Sequence, residues 1–405
     1  MTSAIIYTND TSGVLEPCGC SAGGGMPGGL ARRATLILSL RQQYEGVLLV
    51  DSGNFVGEQS QATVVVEAMR DMRYGLVGLG LSELLCRDAV LPAATRIGLD
   101  VINSLPDLNH IPGGVRTQAV CMLANRRIGV VAVSPAPVVL SDAELFKRLQ
   151  AILRPLRSQV HVIILLSQLG LERDQGIAKW QAQEAWIDLI IGNADAGGLS
   201  EPLVFGRTQI VPTGSRGTQV GVVEIHWQKD GPAFNARRLP VDDRYEPDPG
   251  IQAKVDAYQK AQAARLQLAS SQTAPTAAGT TERFREDWVA ADGCGGCHKD
   301  AYSTWRGHWH AGAVGTLRRR ARLIPECLTC HSEVYRRTER FLWKDGMVDG
   351  VQCSTCHGPG VIHRLLEGKG GITRAPGEDV CRSCHNKDRD PKFDYPTARE
   401  KIRHW

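Results

Sequence analysis

Between residues 294 and 385 the chain repeats Cys-x-x-Cys-His four times: CGGCH (Cys294, Cys297, His298), CLTCH (Cys327, Cys330, His331), CSTCH (Cys353, Cys356, His357) and CRSCH (Cys381, Cys384, His385). No other feature restricts the fold as tightly. The pattern attaches c-type haem: both thiols add across the vinyl groups as thioethers, and the histidine that follows reaches the iron from the proximal side. Cys-x-x-Cys pairs also build tetrahedral zinc sites, but zinc does not require a histidine after every second cysteine. Four c-type haems are expected. Because such haems are attached outside the cytoplasmic membrane, a periplasmic or extracytoplasmic surface location is expected too.

Bulk properties exclude more than they assign. The chain has 405 residues, 42% of them hydrophobic, which suits two globular domains. A formal net charge of +4 is a small excess on a balanced background and gives no reason to expect nucleic acid as a partner. The opening MTSAIIYTND runs straight into a strand pattern where a secreted chain would carry a signal, so the sequence reads as trimmed or its start as misplaced. There is no run of about 18 apolar residues, so no transmembrane segment is expected.

Three zones separate along the chain. Residues 1–245 alternate short apolar runs (AIIYT, VLLVDS, IGVVAVS, HVIILLS, LIIGN, VGVVEIHW) with helical patterns such as QATVVVEAMRDMRYG and DAELFKRLQAILRPLRSQ, which predicts a layered α/β domain. Residues 246–285 begin with turn residues, continue with good helix formers and end in ASSQTAPTAAGTTE, a small, polar, aperiodic linker. Residues 286–405 carry the haem motifs, many basic residues and little sign of strands. A small, mostly helical or irregular domain is predicted there, with porphyrins supplying much of the apolar core.

Four haems have room for four further axial ligands, and this zone holds four histidines outside the motifs: His308, His310, His363 and His404. Its only methionine is Met347, so bis-histidine ligation is the better expectation. His310 and His363, beside motifs, lead as distal candidates; His308 follows, and His404 near the end could also be exposed. The basic run LRRRAR, residues 317–322, could dock an acidic redox partner, be a solvated face or pair with haem propionates.

WRGHWHA, then a Cys-x-x-Cys-His, then VQCSTCHGPGVIH resemble the multihaem cytochrome family that includes the tetrahaem electron acceptor for hydroxylamine oxidation. The resemblance covers residues 290 to about 390. It implies that the histidines of W-x-x-S-x-H-A and CHGPG-x-x-H ligate neighbouring haems.

In the first zone YTNDTSG, GGLARRATLI, VLLVDSGNF, LGLSEL, IILLSQLG, IDLIIGNADAG and PTGSRGTQVGVVEI follow one another in an order that resembles the 5′-nucleotidase and UDP-sugar hydrolase metallophosphoesterase family. The resemblance implies a four-layer β-sandwich flanked by helices, with the site at the strand ends. It also implies a two-metal centre, most of which is missing. Asp10 remains, but the partner histidine position holds Ser12 and the bridging aspartate is Asn54. The asparagine–histidine pair is Leu81 and Ser82, the later histidine is Gln168, and the last pair is Asn193 and Asp195. Two-metal phosphoester hydrolysis needs both ions held by carboxylate and imidazole, so an active phosphatase is not expected.

The loop between Asp10 and GGLARR contains EPCGC, with Cys18 and Cys20 one glycine apart. Such a pair could form a strained, easily reduced disulfide, hold a soft ion such as copper(I), with Cys86 as a third ligand, or staple the turn. Glu16 could accept a proton, and Arg32 or Arg33 could depress a thiol pKa. Cys86 and Cys121 otherwise read as small core residues. The pattern also resembles nucleotidase-like proteins that carry a redox cysteine or selenocysteine in this loop.

The preferred expectation is a periplasmic electron-transfer protein whose haems exchange electrons with Cys18 and Cys20, and whose partners are other cytochromes or a membrane quinol-linked complex. Two rivals stand beside it. One is an electron carrier whose N-terminal domain only binds a partner; the other is a haem-based reductase or oxidase of a small nitrogen or sulfur compound at an open iron.

Overall fold

The structure is a computed structural model of the chain, and it describes residues 3–17, 27–104, 114–135, 140–192, 199, 201–212, 214–229, 231–272, 288–319, 322–339, 341, 349–386, 389–390 and 392–404. Cys18, Cys20, Asn193, Asp195, Met347 and the linker from 273 to 285 lie outside the described residues. The chain divides into two compact units, the first reaching Val255 and the second starting at Asp256.

The first unit is built on two sheets. One contains β1 Ser3–Thr8, β2 Gly46–Asp51, β3 Leu76–Gly78, β4 Asp100–Ile102, β5 Val115–Arg116, β12 Gln219–Gln228 and β13 Gly231–Pro240, in the order β13-β12-β1-β2-β3-β4-β5. The other contains β6 Gln118–Leu123, β7 Arg126–Val133, β8 Val162–Ser167, β9 Leu189–Gly192, β10 Leu203–Phe205 and β11 Thr208–Pro212, in the order β10-β11-β9-β8-β7-β6. β1 through β5 run parallel, as do β7, β8, β9 and β11. Parallel strands are covered on both faces, which is why VLLVD and VIILLS read as unbroken apolar runs.

Alternation sorts those runs into layers. Ile5, Tyr7, Leu48 and Val50 of one sheet meet Val130, Ile164, Leu166 and Ile191 of the other in a buried interior. The opposite faces of β7 and β8, with Val131, Val133, Ile163 and Leu165, receive Leu145, Leu149, Leu153 and Leu156 of helix Asp142–Arg157 and Ile177 of helix Leu171–Gln181. Helix Leu30–Gln43 buries Leu36, Ile37 and Leu40, and helix Ala62–Asp71 buries Val65, Val66 and Met69. Helices outside two facing sheets make the four layers expected from the sequence.

Among the described residues of the second unit the regular elements are all helices, joined by turns and irregular segments. Its apolar cluster is small: Val314, Leu317, Leu323, Leu328 and Phe341, with Ala263 and Leu266 packed against it. Polar anchors position the motifs instead. Buried Glu333 accepts from Arg336 Nη2 at 2.7 Å, Arg337 Nε at 2.6 Å and Thr355 Oγ1 at 2.7 Å, joining the turn after His331 to the CSTCH helix. Trp305 Nε1 donates to Val351 O at 2.8 Å, which ties WRGHWHA to the residue just ahead of that motif.

Candidate functional site

In the first unit the positions singled out from the sequence converge where parallel strands end. Asp10 follows β1, Asn54 follows β2, Ser82 follows β3 and Gln168 follows β8. Asn54 Nδ2 donates to Asp10 Oδ1 at 2.9 Å and to Gln168 Oε1 at 2.7 Å. Asn54 Oδ1 accepts from the backbone N–H and the hydroxyl of Ser82, both at 3.2 Å. Gln168 Nε2 donates to Asn9 Oδ1, and Asn9 Nδ2 donates to Asp10 Oδ2 at 3.2 Å. The amide of Asn54 thus takes up both the carboxylate and its neighbour, and the cluster satisfies itself. Leu81 points away and is 53% exposed, while Ser12 contributes backbone, its N–H reaching Asn54 O at 2.7 Å.

Two residues of this cluster were not foreseen. Glu83 is buried and accepts from the N–H groups of Asn54, Gly80 and Val56 and from Ser82 Oγ, at 2.7, 2.8, 2.9 and 2.9 Å; burial pushes its carboxyl pKa up and those bonds oppose the shift. Asn9 also accepts from Ser52 Oγ at 3.0 Å. Neither residue is among those singled out from the sequence. The backbone is held in left-handed conformations at Asp10, Ser12 and Asn54, with φ of 47°, 51° and 56°. A Cβ at Gly80 would collide with the Asn54 amide, so that close approach needs glycine.

Around the cysteine loop, Glu16 Oε1 accepts from Gln252 Nε2 at 2.8 Å. Arg33 is 1% exposed, its Nη1 donates to Thr11 Oγ1 at 2.5 Å, and its Nε and Nη2 have no partner. Cys86 is half-buried where helices Leu81–Leu85 and Arg87–Ile97 meet, beyond the apolar core, because neighbouring Leu85 and Arg87 turn to solvent. Cys121 is half-buried on edge strand β6 and packs against the sandwich interior.

In the second unit the histidines fall into pairs. Ring centres of His298 and His363 are 6.0 Å apart, those of His310 and His385 6.3 Å, and those of His357 and His404 5.7 Å. Each pair joins a motif histidine to one outside the motifs. Two imidazoles on opposite sides of one iron stand roughly 6 Å apart, the sum of two metal–nitrogen bonds of about 2 Å and two ring radii.

Tautomers agree with that spacing. Nδ1 lies 3.1 Å from Ala313 O in His331, 2.7 Å from Thr373 O in His357, 2.8 Å from Gly370 O in His363 and 2.8 Å from Ile402 O in His404. A carbonyl can only accept, so Nδ1 carries the proton and Nε2 presents its lone pair. In His385 the acceptor is Asp390 Oδ2 at 2.9 Å. His308 is different: its Nδ1 accepts the His310 backbone N–H at 3.3 Å, and its ring lies 4.8 Å from that of His310. Burial, with His308, His385 and His331 nearby, lowers the His310 pKa to about 4 and keeps its ring neutral.

Cysteines of different motifs also meet. Cys294 lies close to Cys353, and Cys384 close to Cys330, so the first motif lies beside the third and the second beside the fourth. Large apolar side chains stand in solvent beside candidate ligands: Trp309 is 78% exposed next to His308 and His310, and Leu365 is 72% exposed two residues from His363. Paired imidazoles about 6 Å apart and uncovered apolar side chains suit a porphyrin.

Comparison with solved structures places the first unit. The 5′-nucleotidase precursor of Thermus thermophilus superposes with a TM-score of 0.54 at 21% identity, over 64% of this chain and 59% of that one. The first unit has the metallophosphoesterase fold. Sulfate thiohydrolase SoxB of the same organism matches at TM-score 0.54 and 17% identity, over 63% and 60% of the two chains. A 5′-nucleotidase-like protein of Staphylococcus aureus matches at 0.54 and 19%, over 64% and 58%. The chain spans about three fifths of the length of these structures. Residues 293–358 match the cytochrome c554 and c-prime family, which implies c-type haem in a cytochrome c-like second unit. No curated protein gives a significant match.

Proposed function

We propose that the chain is an extracytoplasmic electron-transfer protein with four c-type haems on its second unit and a two-cysteine redox centre, Cys18 and Cys20, on its first. The observation that carries the haem reading is the set of three histidine pairs at 5.7–6.3 Å. In this reading Cys294 and Cys297 attach a haem held by His298 and His363. Cys353 and Cys356 serve one held by His357 and His404, and Cys381 and Cys384 one held by His385 and His310. Cys327, Cys330 and His331 attach the fourth.

When bound, the haems supply low-potential one-electron carriers. The chain's own residues orient the ligands: backbone carbonyls of Ala313, Thr373, Gly370 and Ile402 fix the rings by accepting their Nδ1 protons. The nearness of the first motif to the third and of the second to the fourth supports close spacing of the cofactors.

The redox role of the first unit is supported by its self-satisfied site. Binding two ions would require breaking the bonds of Asn54 to Asp10, Gln168 and Ser82, so phosphoester hydrolysis is not its proposed activity. Oxidation of the Cys18–Cys20 dithiol to a disulfide releases two electrons and two protons, which suits a chain with several one-electron acceptors. Other cytochromes or a quinol-linked complex are the proposed partners.

A spectroelectrochemical titration of the wild type beside the Cys18→Ser, Cys20→Ser double variant tests both parts. Four haem steps in both proteins, with an extra two-electron step in the wild type alone, are expected. Fewer than four haem steps sinks the haem count, and identical titrations sink the thiol centre.

A further inference from the structure

Among the five histidines whose Nδ1 faces an acceptor, four use a neutral backbone carbonyl and one, His385, uses a carboxylate. We propose that Asp390 sets the potential of the haem held by His385 and makes it the most reducing of the four. The proposal rests on the haem reading above and adds a residue that determines the order in which electrons fill the chain.

The arrangement is built, not incidental. Asp390 lies in a turn closed by its own N–H to Asn386 O at 2.8 Å, and Phe393 N–H donates back to Asp390 O at 3.0 Å. That turn brings the Phe393 ring onto the His385 ring, with centres 4.7 Å apart and planes 17° from parallel. The imidazole is held by a stacked face on one side and by the 2.9 Å bond at Nδ1. The carboxylate side chain is only 19% exposed, so water screens its charge poorly.

Oxidised iron carries one more positive charge than reduced iron. A carboxylate on the ligand's far nitrogen increases the basicity of the imidazole and stabilises the oxidised form, whereas a carbonyl does so less. Two nearby cations act in the opposite sense, and both are engaged elsewhere. Arg382 lies 5.6 Å over the Phe393 ring but is paired with Glu378 at 2.5 Å. Arg389 Nη1 reaches Cys330 Sγ at 2.8 Å, in the attachment motif of a different haem. Neither is shown in contact with the His385 ring, to which Asp390 bonds directly.

The test is a spectroelectrochemical titration of the full-length, haem-loaded protein and of Asp390→Asn, with haem content checked by the pyridine haemochrome assay. In the variant the lowest one-electron step should move up while the other three stay in place. At fixed potential its reduced-to-oxidised ratio should rise at least tenfold, about 59 mV for one electron. Asp390→Glu, which keeps the charge, should leave that step low. An unmoved lowest step in a fully loaded variant, a shift of another step, or a common shift of all four would overturn the proposal. Should Asp390→Asn mature with fewer haems, His310→Met supplies the readout, because methionine raises the potential of the haem it ligates. The lowest step must then be the one that rises, and movement of any other step overturns the proposal. Wild-type protein without c-type haem would overturn the underlying reading, a separate and visible failure.

Discussion

The cluster around Asp10 and the histidines of the second unit are both polar sites, and they are satisfied in opposite ways. Asn54, Gln168, Asn9 and Ser82 bond to one another and to Asp10, so little of their hydrogen-bonding capacity faces outward. His331, His357, His363, His404 and His385 are each fixed through Nδ1, and three motif histidines pair with a second ring. A site that closes on itself folds without help. A site of paired imidazoles depends more on what it binds, and among the described residues the second unit's apolar cluster around Val314 and Phe341 is small.

That contrast is broken most severely by withholding haem. Produced where no haem is attached, the chain should lose protection against trypsin throughout the second unit, with cleavage there at least tenfold faster than in the haem-loaded protein. The first unit should digest at an unchanged rate. Equal resistance of both units would show that the second has a sufficient core of its own.

The next effect concerns Asp174, buried against Ser167 with Oδ2 unpartnered and its pKa pushed up to about 7 by burial. Its folded value lies above its unfolded one, so its stabilising contribution is complete below about pH 4 and is lost as pH rises through about 7, about 4 kcal/mol in all. Amides of β8 should therefore exchange faster at pH 8 than at pH 5 after correction for intrinsic rates. Asp174→Asn should flatten that dependence; an unchanged profile in the variant would assign it to Asp51 or Glu83, which burial shifts in the same direction.

Smaller again is the effect of Asn54→Asp. The change removes two donors and sets a second carboxylate beside Asp10, costing about 2–3 kcal/mol. Urea unfolding followed through the first unit should show this loss, and millimolar manganese should recover part of it. No response to manganese would mean that the surrounding amides exclude an ion even when the carboxylate is restored. Ser82→Ala, which deletes one hydroxyl from the same network, should cost about 1 kcal/mol in the same assay.

The layered fold was legible because buried parallel strands such as VIILLS leave unbroken apolar runs, and helices such as Asp142–Arg157 leave period-3.6 stripes. Convergence of Asp10, Asn54, Ser82 and Gln168 could be anticipated from the family resemblance, which fixes their order along the strands. The partners of Glu83 could not, because a buried carboxylate that accepts from backbone N–H groups and a neighbouring hydroxyl shows them only in the fold. The histidine pairs were equally invisible as pairs. His363 lies six residues after His357, yet its ring faces His298, since which rings meet depends on how several short helices cross. Asp390 did leave a trace in CHNKDRD, an acidic residue one short turn past a motif histidine, but only the turn shows that it reaches Nδ1.

The left-handed residues at Asp10, Ser12 and Asn54 carry one more consequence. Each holds the chain where a side-chain-bearing residue is disfavoured by about 1 kcal/mol or more, so none of the three turns would persist as an isolated peptide. They persist because the two sheets fix their ends and Glu83 grips the loops between them. The rim that these three turns form is therefore held by the sheets behind it. Changes at Glu83 or Gly80 would displace the turns after β2 and β3 together.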